Sequence, residues 1–171
     1  SGPIGPDDLF KKHSQRLRRE KYFDTIELFR SAGKLFACEC SRSEIRRFSA
    51  NHNYPGTCRR KKLDFINTNR PWRFIVPEQS IVSFKTFTNK YKKINVAQAM
   101  GDFIIKRRDG LPGYQIISVI EDIELGANLL VRGDDLLNST ATQIFLAQSL
   151  NDSLFPSATF LHHKLISDKF G

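Results

Sequence analysis

The sequence predicts an α/β fold, and three observations in its last hundred residues support that prediction. Residues 128–133 form a nearly continuous apolar run of strand length, typical of a parallel strand covered on both faces. Residues 113–125 and 138–150 place apolar side chains at helical spacing on either side of that run, and Asn138, Ser139 and Thr140 are suited to cap the second helix. Residues 159–166 are predicted to form a further strand. Helix and strand therefore alternate, which is the pattern of an α/β domain.

Before this region, two helical stretches are expected. The first follows Pro6, where acidic residues at 7 and 8 suit a helix N-terminus. The second carries an apolar stripe of Tyr22, Ile26 and Phe29 and ends at Gly33. We expect this aromatic stripe to pack into the core.

All three cysteines of the chain lie between Cys38 and Cys58. A Cys-x-Cys pair holds two thiolates on a tight bend, and a third thiolate that returns after a short loop completes three corners of a tetrahedral zinc site. From the residues alone, the fourth ligand is His52 or Tyr54, and general zinc chemistry favours histidine. Buried inert thiols, or one disulfide with one free cysteine, are the alternatives.

A short helix at 43–48 and a turn-rich segment at 51–56 are predicted within this region, and the loop at 67–71 is expected to end it. Residues 72–76 and 80–87 are rich in β-branched and aromatic side chains, and the break at 77–79 suggests that the two strands pair antiparallel. A third strand is expected at 103–106, before a turn at 108–112.

The chain of 171 residues carries a formal net charge of +9, which favours a polyanionic partner. A generally basic, solvated surface is the simpler interpretation. The basic side chains, however, fall into two clusters, one around the cysteines and one near the start of the chain: Arg46, Arg47, Arg59, Arg60, Lys61 and Lys62, and Lys11, Lys12, Arg16, Arg18, Arg19 and Lys21. The sequence has no run of about 20 apolar residues and no secretory signal, so we expect a cytoplasmic protein without a membrane span.

Five segments stand out in order along the chain, at residues 38–42, 54–59, 101–103, 108–115 and 131–137. Together they resemble the glutamyl-tRNA synthetase-like enzymes, a family of class I aminoacyl-tRNA synthetases. The resemblance runs from about residue 13 to the end of the chain. It implies part of a Rossmann-like catalytic domain, with a helical segment at 1–36, a zinc-binding insertion at 37–71, and a meander and second Rossmann half at 72–171.

The resemblance also implies functional residues. The zinc ligands would be Cys38, Cys40, Tyr54 and Cys58, so that the tyrosine replaces His52 as the expected fourth ligand. Tyr114 and Arg132 would contact bound glutamate, and an arginine fork suits a carboxylate better than a lysine does. Arg132 could also pair only with Asp134 or Asp135, and Tyr114 could be helix core. His162 and His163 are given no role.

The implied activity is activation of glutamate by ATP with Mg²⁺ and transfer to tRNA, in particular to the queuosine base of tRNA(Asp), by a monomer. A discriminating glutamyl-tRNA synthetase and a non-catalytic, zinc-containing RNA-binding module are the alternatives. Neither the His-Ile-Gly-His-like nor the Lys-Met-Ser-Lys-Ser-like ATP signature of the family occurs in these residues. We therefore expect the sequence to be part of a longer enzyme and to be inactive alone.

Overall fold

A computed structural model describes residues 14–49, 53–67 and 69–165. The helices are α1 (Arg19–Ser31), α2 (Arg42–Phe48), α3 (Val96–Ala99), α4 (Tyr114–Glu124), α5 (Leu137–Ser149) and α6 (Leu154–Ser157). The strands are β1 (Leu35–Ala37), β2 (Trp72–Phe74), β3 (Ile81–Thr86), β4 (Tyr91–Asn95), β5 (Ile104–Lys106), β6 (Leu129–Gly133) and β7 (Thr159–His163).

The strands form two sheets. The first is antiparallel and has the order β1-β2-β5. The second has the order β4-β3-β7-β6, in which β3 and β4 pair antiparallel while β7 runs parallel to both β3 and β6. The parallel pairing of β6 with β7, with helix α5 between them along the chain, confirms the predicted α/β class.

The hydrophobic core joins α1 and the first sheet to helices α4 and α5. Phe74 lies at its centre, with its ring centroid 4.9 Å from that of Phe29, 5.5 Å from Phe103 and 5.7 Å from Phe145. Tyr22 and Ile26 are buried beside Phe29. The predicted core role of the α1 stripe is therefore confirmed.

Two strand predictions are wrong. The segments at 72–76 and 80–87 do not pair: β2 lies in the first sheet and β3 in the second, because the turn after Pro77 carries the chain from one to the other. Strand β6 is not covered on both faces, since Leu129 and Val131 are 49% and 61% exposed while Leu130 is buried. As an edge strand of the described sheet, β6 presents one apolar face to the core and leaves the other open.

The helix ends also differ in part from the sequence pattern. Helix α5 begins at Leu137 without a side-chain cap, so Ser139 and Thr140 lie buried within its first turn instead of capping it. The helix predicted after Pro6 lies outside the described residues, as does the final residue of the strand predicted at 159–166. In the ranges that the structure describes, no helix combines the length and the apolar character needed to cross a lipid bilayer.

Candidate functional site

The three thiols predicted to bind metal come together. The Sγ atoms of Cys38, Cys40 and Cys58 all lie within 4.8 Å of one another, and those of Cys40 and Cys58 are 3.5 Å apart. Cys38 and Cys58 are buried, and all three cysteines are free thiols. This donor set suits a soft, tetrahedral metal such as zinc.

Local sequence features hold the cysteines in place. Cys38 directly follows β1, and its N–H donates to the carbonyl of Pro71 at 2.9 Å. Helix α2 starts soon after Cys40 with a capping box, in which the Ser41 hydroxyl accepts from the Glu44 N–H while the Glu44 carboxylate accepts from the Ser41 N–H. The bend between strand and helix therefore has little freedom to open.

Tyr54 supplies a phenol beside the thiols. Its Oη lies 3.8 Å from Cys40 Sγ and accepts a hydrogen bond from the Cys58 N–H at 2.7 Å. The return of the chain to Cys58 uses Gly56, whose φ of +79° is the left-handed conformation that favours glycine. The alternative ligand His52 lies outside the described residues. Among the described residues, Tyr54 thus places a phenol oxygen next to the thiols.

Burial and hydrogen bonds set the protonation of these groups. Burial raises the pKa of the Cys40 thiol to about 11, and burial likewise raises the pKa of the Tyr54 phenol. Burial also opposes ionisation of Cys58, but hydrogen bonds from Tyr54 and from the Glu39 N–H outweigh it and lower the pKa of that thiol. Burial thus disfavours ionisation of Cys40 and Tyr54, whereas Cys58 ionises more readily than a free thiol.

An ion pair joins this cysteine loop, residues 38–58, to the rest of the domain. Arg59 donates from Nε to the Asp102 carboxylate at 2.6 Å and from Nη2 to the Val76 carbonyl at 2.7 Å. Asp102 is only 2% exposed and also accepts from the Val76 N–H at 2.9 Å. Sequence reasoning gave Asp102 no role, although it lies in one of the segments that carry the family resemblance.

Tyr114 and Arg132 come from two different elements, and only Tyr114 lines the cavity beside α4. Tyr114 is the first residue of α4, is 53% exposed and lines a cavity of about 420 Å³ together with Asp122. Arg132, near the carboxyl end of β6, donates from Nη2 to the Asp122 carboxylate at 2.7 Å. Asp122 thus links the guanidinium to the cavity. The alternative that Arg132 pairs only with Asp134 or Asp135 is wrong, because its partner is Asp122.

A polar network fixes the Arg132 guanidinium. Its Nη1 donates to Gln143 Oε1 at 2.5 Å and to Thr140 Oγ1 at 3.2 Å. Gln143 in turn donates to Gln115 at 3.1 Å, and Thr140 Oγ1 lies 3.0 Å from His162 Nε2. Gln143 and Thr140 are fully buried. We refer to Arg132, Asp122, Thr140, Gln143 and Gln115 as the Arg132 network.

The titratable groups of this network are shifted by burial. Burial raises the pKa of the Asp122 carboxyl, although the neighbouring Arg132 guanidinium opposes the shift. Burial, with smaller contributions from Lys92 and Arg132, lowers the pKa of His162, which keeps the imidazole neutral. A neutral His162 that contacts Thr140 supports the network sterically and by hydrogen bonding. Its neighbour His163 is exposed and bonds only to the Lys164 carbonyl, at 2.8 Å, within the part of the chain that the structure describes.

Comparison with known proteins gives a consistent family. Residues 4–168 match a family model described as the catalytic domain of class I tRNA synthetases (E and Q). A protein from Burkholderia cenocepacia named glutamyl-Q tRNA(Asp) synthetase is 35% identical over 166 residues, covering 92% of this chain and 54% of that protein. One of the same name from Acinetobacter baylyi is 34% identical over 157 residues, covering 92% and 51%.

Solved structures show the same fold. A glutamate tRNA ligase from Elizabethkingia meningosepticum, in complex with its amino acid, superposes with a TM-score of 0.71 at 20% identity. That superposition covers 97% of this chain and 35% of the ligase. The chain also spans only about half the length of the curated relatives it matches.

Proposed function

The chain belongs to the family of class I glutamyl- and glutaminyl-tRNA synthetase catalytic domains, and from this premise we propose that it is part of an enzyme that attaches glutamate to the queuosine base of tRNA(Asp). The tRNA and the acceptor base follow the name of the relatives from Burkholderia and Acinetobacter. ATP, with Mg²⁺, is the proposed activating substrate: a glutamate carboxylate attacks its α-phosphorus, forming a glutamyl-adenylate and releasing pyrophosphate. A hydroxyl of the RNA then attacks the glutamyl carbonyl carbon and releases AMP.

The observation that carries this proposal is the position of Arg132. Its guanidinium lies at the carboxyl end of a strand in a parallel pair, where open α/β sheets bind their ligands. Gln143 and Thr140 orient the fork, so a carboxylate would meet donors that are already in place.

Asp122 and Tyr114 complete the proposed amino-acid site. Asp122 and Arg132 offer one charge of each sign, which matches the ammonium and carboxylate groups of a free amino acid. Tyr114 is exposed at the start of α4 and lines the same cavity as Asp122, so its hydroxyl is available to a ligand there. An incoming carboxylate would share Arg132 with Asp122 or displace it.

We assign a structural zinc ion to Cys38, Cys40, Tyr54 and Cys58. Bound zinc would hold the loop folded and keep its ligands ionised. The hydrophobic cluster around Phe36 and these ligands is separate from the main core, which supports a distinct insertion at 37–71 between segments 1–36 and 72–171.

The test uses the protein encoded by the complete reading frame, together with radiolabelled glutamate, ATP and Mg²⁺. We expect glutamate transfer to tRNA(Asp) that carries queuosine, and none to a transcript with guanosine at that position. Removing the 3′-terminal adenosine should leave the transfer intact, because the acceptor is a base in the body of the tRNA.

The same experiment separates the alternatives. Transfer that requires the 3′-terminal adenosine and ignores queuosine would contradict the proposal and indicate a glutamyl-tRNA synthetase. Absence of any ATP-dependent transfer or pyrophosphate exchange, with RNA binding retained, would indicate a non-catalytic RNA-binding module.

A further inference from the structure

Arg73 is a buried cation whose charge has no carboxylate partner among residues 14–49, 53–67 and 69–165. The residue lies on β2 and is only 6% exposed. Its Nη1 donates to the Asp102 backbone carbonyl at 2.7 Å, while its buried Nε has no hydrogen-bond partner within the described residues. The guanidinium stacks over the Tyr54 ring, 3.9 Å from the centroid. The proposed zinc site beside Tyr54, with three thiolates and one phenolate, would carry net negative charge next to this guanidinium. The buried Nε still lacks an acceptor, which buried N–H groups normally have.

Two neighbouring cavities meet at Arg73. Their volumes are about 530 and 430 Å³. They share five lining residues from the cysteine loop, β2, β5 and the turn after β5: Arg42, Ile45, Arg73, Ile104 and Arg107. We call this combined space the Arg73 cavity. Cys40 lies in its wall at one end and Tyr114 at the other, so it connects the proposed zinc site to the proposed glutamate site.

The lining of the Arg73 cavity is strongly cationic. Arg42, Arg107 and Arg108 are exposed and add three guanidinium groups to that of Arg73. Of the carboxylates in the lining, Asp102 is paired with Arg59, and Asp109 is paired with Arg107 at 2.6 Å. The cavity thus has an excess of fork-shaped donors, the groups that bind phosphate best.

We propose that the Arg73 cavity binds a backbone phosphate of the RNA substrate and so directs the acceptor nucleotide toward Tyr114. This inference rests on the proposed function for the identity of the RNA. The exposed arginines favour a phosphodiester chain over a small nucleotide, because Arg42 lines both cavities from α2 and the same short helix carries two further exposed arginines, Arg46 and Arg47. A polyanion can cover that whole surface, whereas a single nucleotide fills one cavity.

Binding of tRNA by the full-length protein, measured over a range of salt concentrations, tests this proposal. The double variant Arg42→Gln/Arg107→Gln should weaken binding about tenfold at low salt, since each arginine that binds a phosphate contributes a charged hydrogen bond. The slope of log affinity against log salt should become shallower by about 0.7 to 0.9 for each phosphate that the variant no longer neutralises. The control Lys90→Gln removes one charge from the exposed turn between β3 and β4, outside both basic clusters, and should leave the slope unchanged.

Two more variants sharpen the result. Asp109→Asn should strengthen RNA binding, because it frees Arg107 from its carboxylate while the side-chain oxygen can still accept from the Leu111 N–H. The variant Arg73→Gln removes the buried cation, and a thermal unfolding measurement shows whether the variant protein folds. If it does not fold, the Arg42 and Arg107 variants still test the proposal.

The outcomes are separable from those for the proposed function. In transfer assays the single variant Arg42→Gln should raise KM for tRNA and leave KM for glutamate unchanged, because Arg42 does not line the cavity of Tyr114 and Asp122. An unchanged salt slope in the double variant would overturn the cavity proposal even if queuosine is glutamylated. A second result would also overturn the proposal: ATP competes with tRNA for binding to the wild-type protein, and the double variant no longer shows this competition. The cavity would then bind nucleotide phosphate.

Discussion

The cysteine loop and the Arg132 network are assembled in opposite ways. In the loop, three thiols from a single stretch of chain meet within 4.8 Å, together with a phenol from the same stretch. In the network, one guanidinium on β6 donates hydrogen bonds to Asp122 on α4 and to Thr140 and Gln143 on α5. The first site depends on local bends and, in the proposed function, on a bound metal. The second depends on the packing of two helices against a strand.

This difference predicts that each site can be damaged without the other. Removal of a metal ligand should act on folding stability and leave the hydrogen bonds of Arg132 in place. A change in Arg132 should act on the proposed glutamate binding and leave the metal bound. The ion pair of Arg59 with Asp102 joins the loop to the first sheet, so its variants show how far the two regions are coupled.

The largest effect is expected for Cys58→Ser. Removal of one thiolate should reduce zinc from about one equivalent per chain to near zero and lower the free energy of unfolding by several kcal/mol, because structural zinc binding contributes directly to folding. Elemental analysis and urea unfolding measure the two quantities. The neighbouring control Thr57→Ser should keep its zinc. Equal metal content in wild type, control and variant would eliminate the site.

Next in size is Arg132→Lys. Lysine keeps the charge but lacks the planar fork that bonds to Asp122, Thr140 and Gln143, so kcat/KM for glutamate should fall about 100-fold, or roughly 2.7 kcal/mol. Zinc content should not change. The matched control Arg30→Lys alters an exposed pair with Glu27 on α1 and should keep full activity. A fall of less than about threefold for Arg132→Lys would argue against glutamate binding at this residue.

Asp102→Asn should have a smaller but clear effect on stability. The amide can still accept from the Val76 N–H, but it cannot pair with the Arg59 charge, so the free energy of unfolding should fall by about 2 to 3 kcal/mol. Urea unfolding measures the change. Glu27→Gln, which breaks an exposed pair, should cost less than about 0.5 kcal/mol. Similar values for the two variants would show that Arg59 and Asp102 do not anchor the loop.

The smallest effect concerns pH. Because burial raises the pKa of Asp122 in the native state, the folded protein retains a proton that the unfolded chain has already released. Between the ordinary carboxyl pKa near 4 and the raised native value, the free energy of unfolding should therefore decrease as pH rises. Urea unfolding at several pH values should show this slope in wild type, and Asp122→Asn should reduce it. An identical slope in both would rule out Asp122 as its source.

The sequence was a good guide to the cysteine loop. The concentration of all cysteines within a short stretch is visible without a fold, and the structure brings those thiols together as expected. Tyr54 was preferred over His52 only through the family resemblance, because general zinc chemistry favours histidine. The Tyr54 phenol oxygen accepts a hydrogen bond from the Cys58 N–H, and residue spacing alone does not reveal that contact.

Interactions that depend on tertiary packing were harder to predict. Pairing of Arg132 with Asp134 or Asp135 was only an alternative to its role in glutamate binding, and the partner found, Asp122, comes from the preceding helix. Arg73 was part of a predicted strand, and nothing in an alternating pattern shows that a charged side chain will stack on Tyr54.

Strand β4 was missed because two adjacent lysines interrupt its apolar pattern, although it pairs with β3 over its whole length. The pairing of β2 with β3 was inferred because the two strands are close in sequence, but they lie in different sheets.

The most direct test of the amino-acid site is NMR observation of the Arg132 guanidinium and the Tyr114 ring in the full-length protein as glutamate is added. Both sets of signals should shift together and saturate at the same glutamate concentration, and glutamine should shift them less. Glutamate-dependent transfer to tRNA without any shift of either residue at saturating glutamate would contradict the assignment of Tyr114 and Arg132 as the glutamate-binding residues.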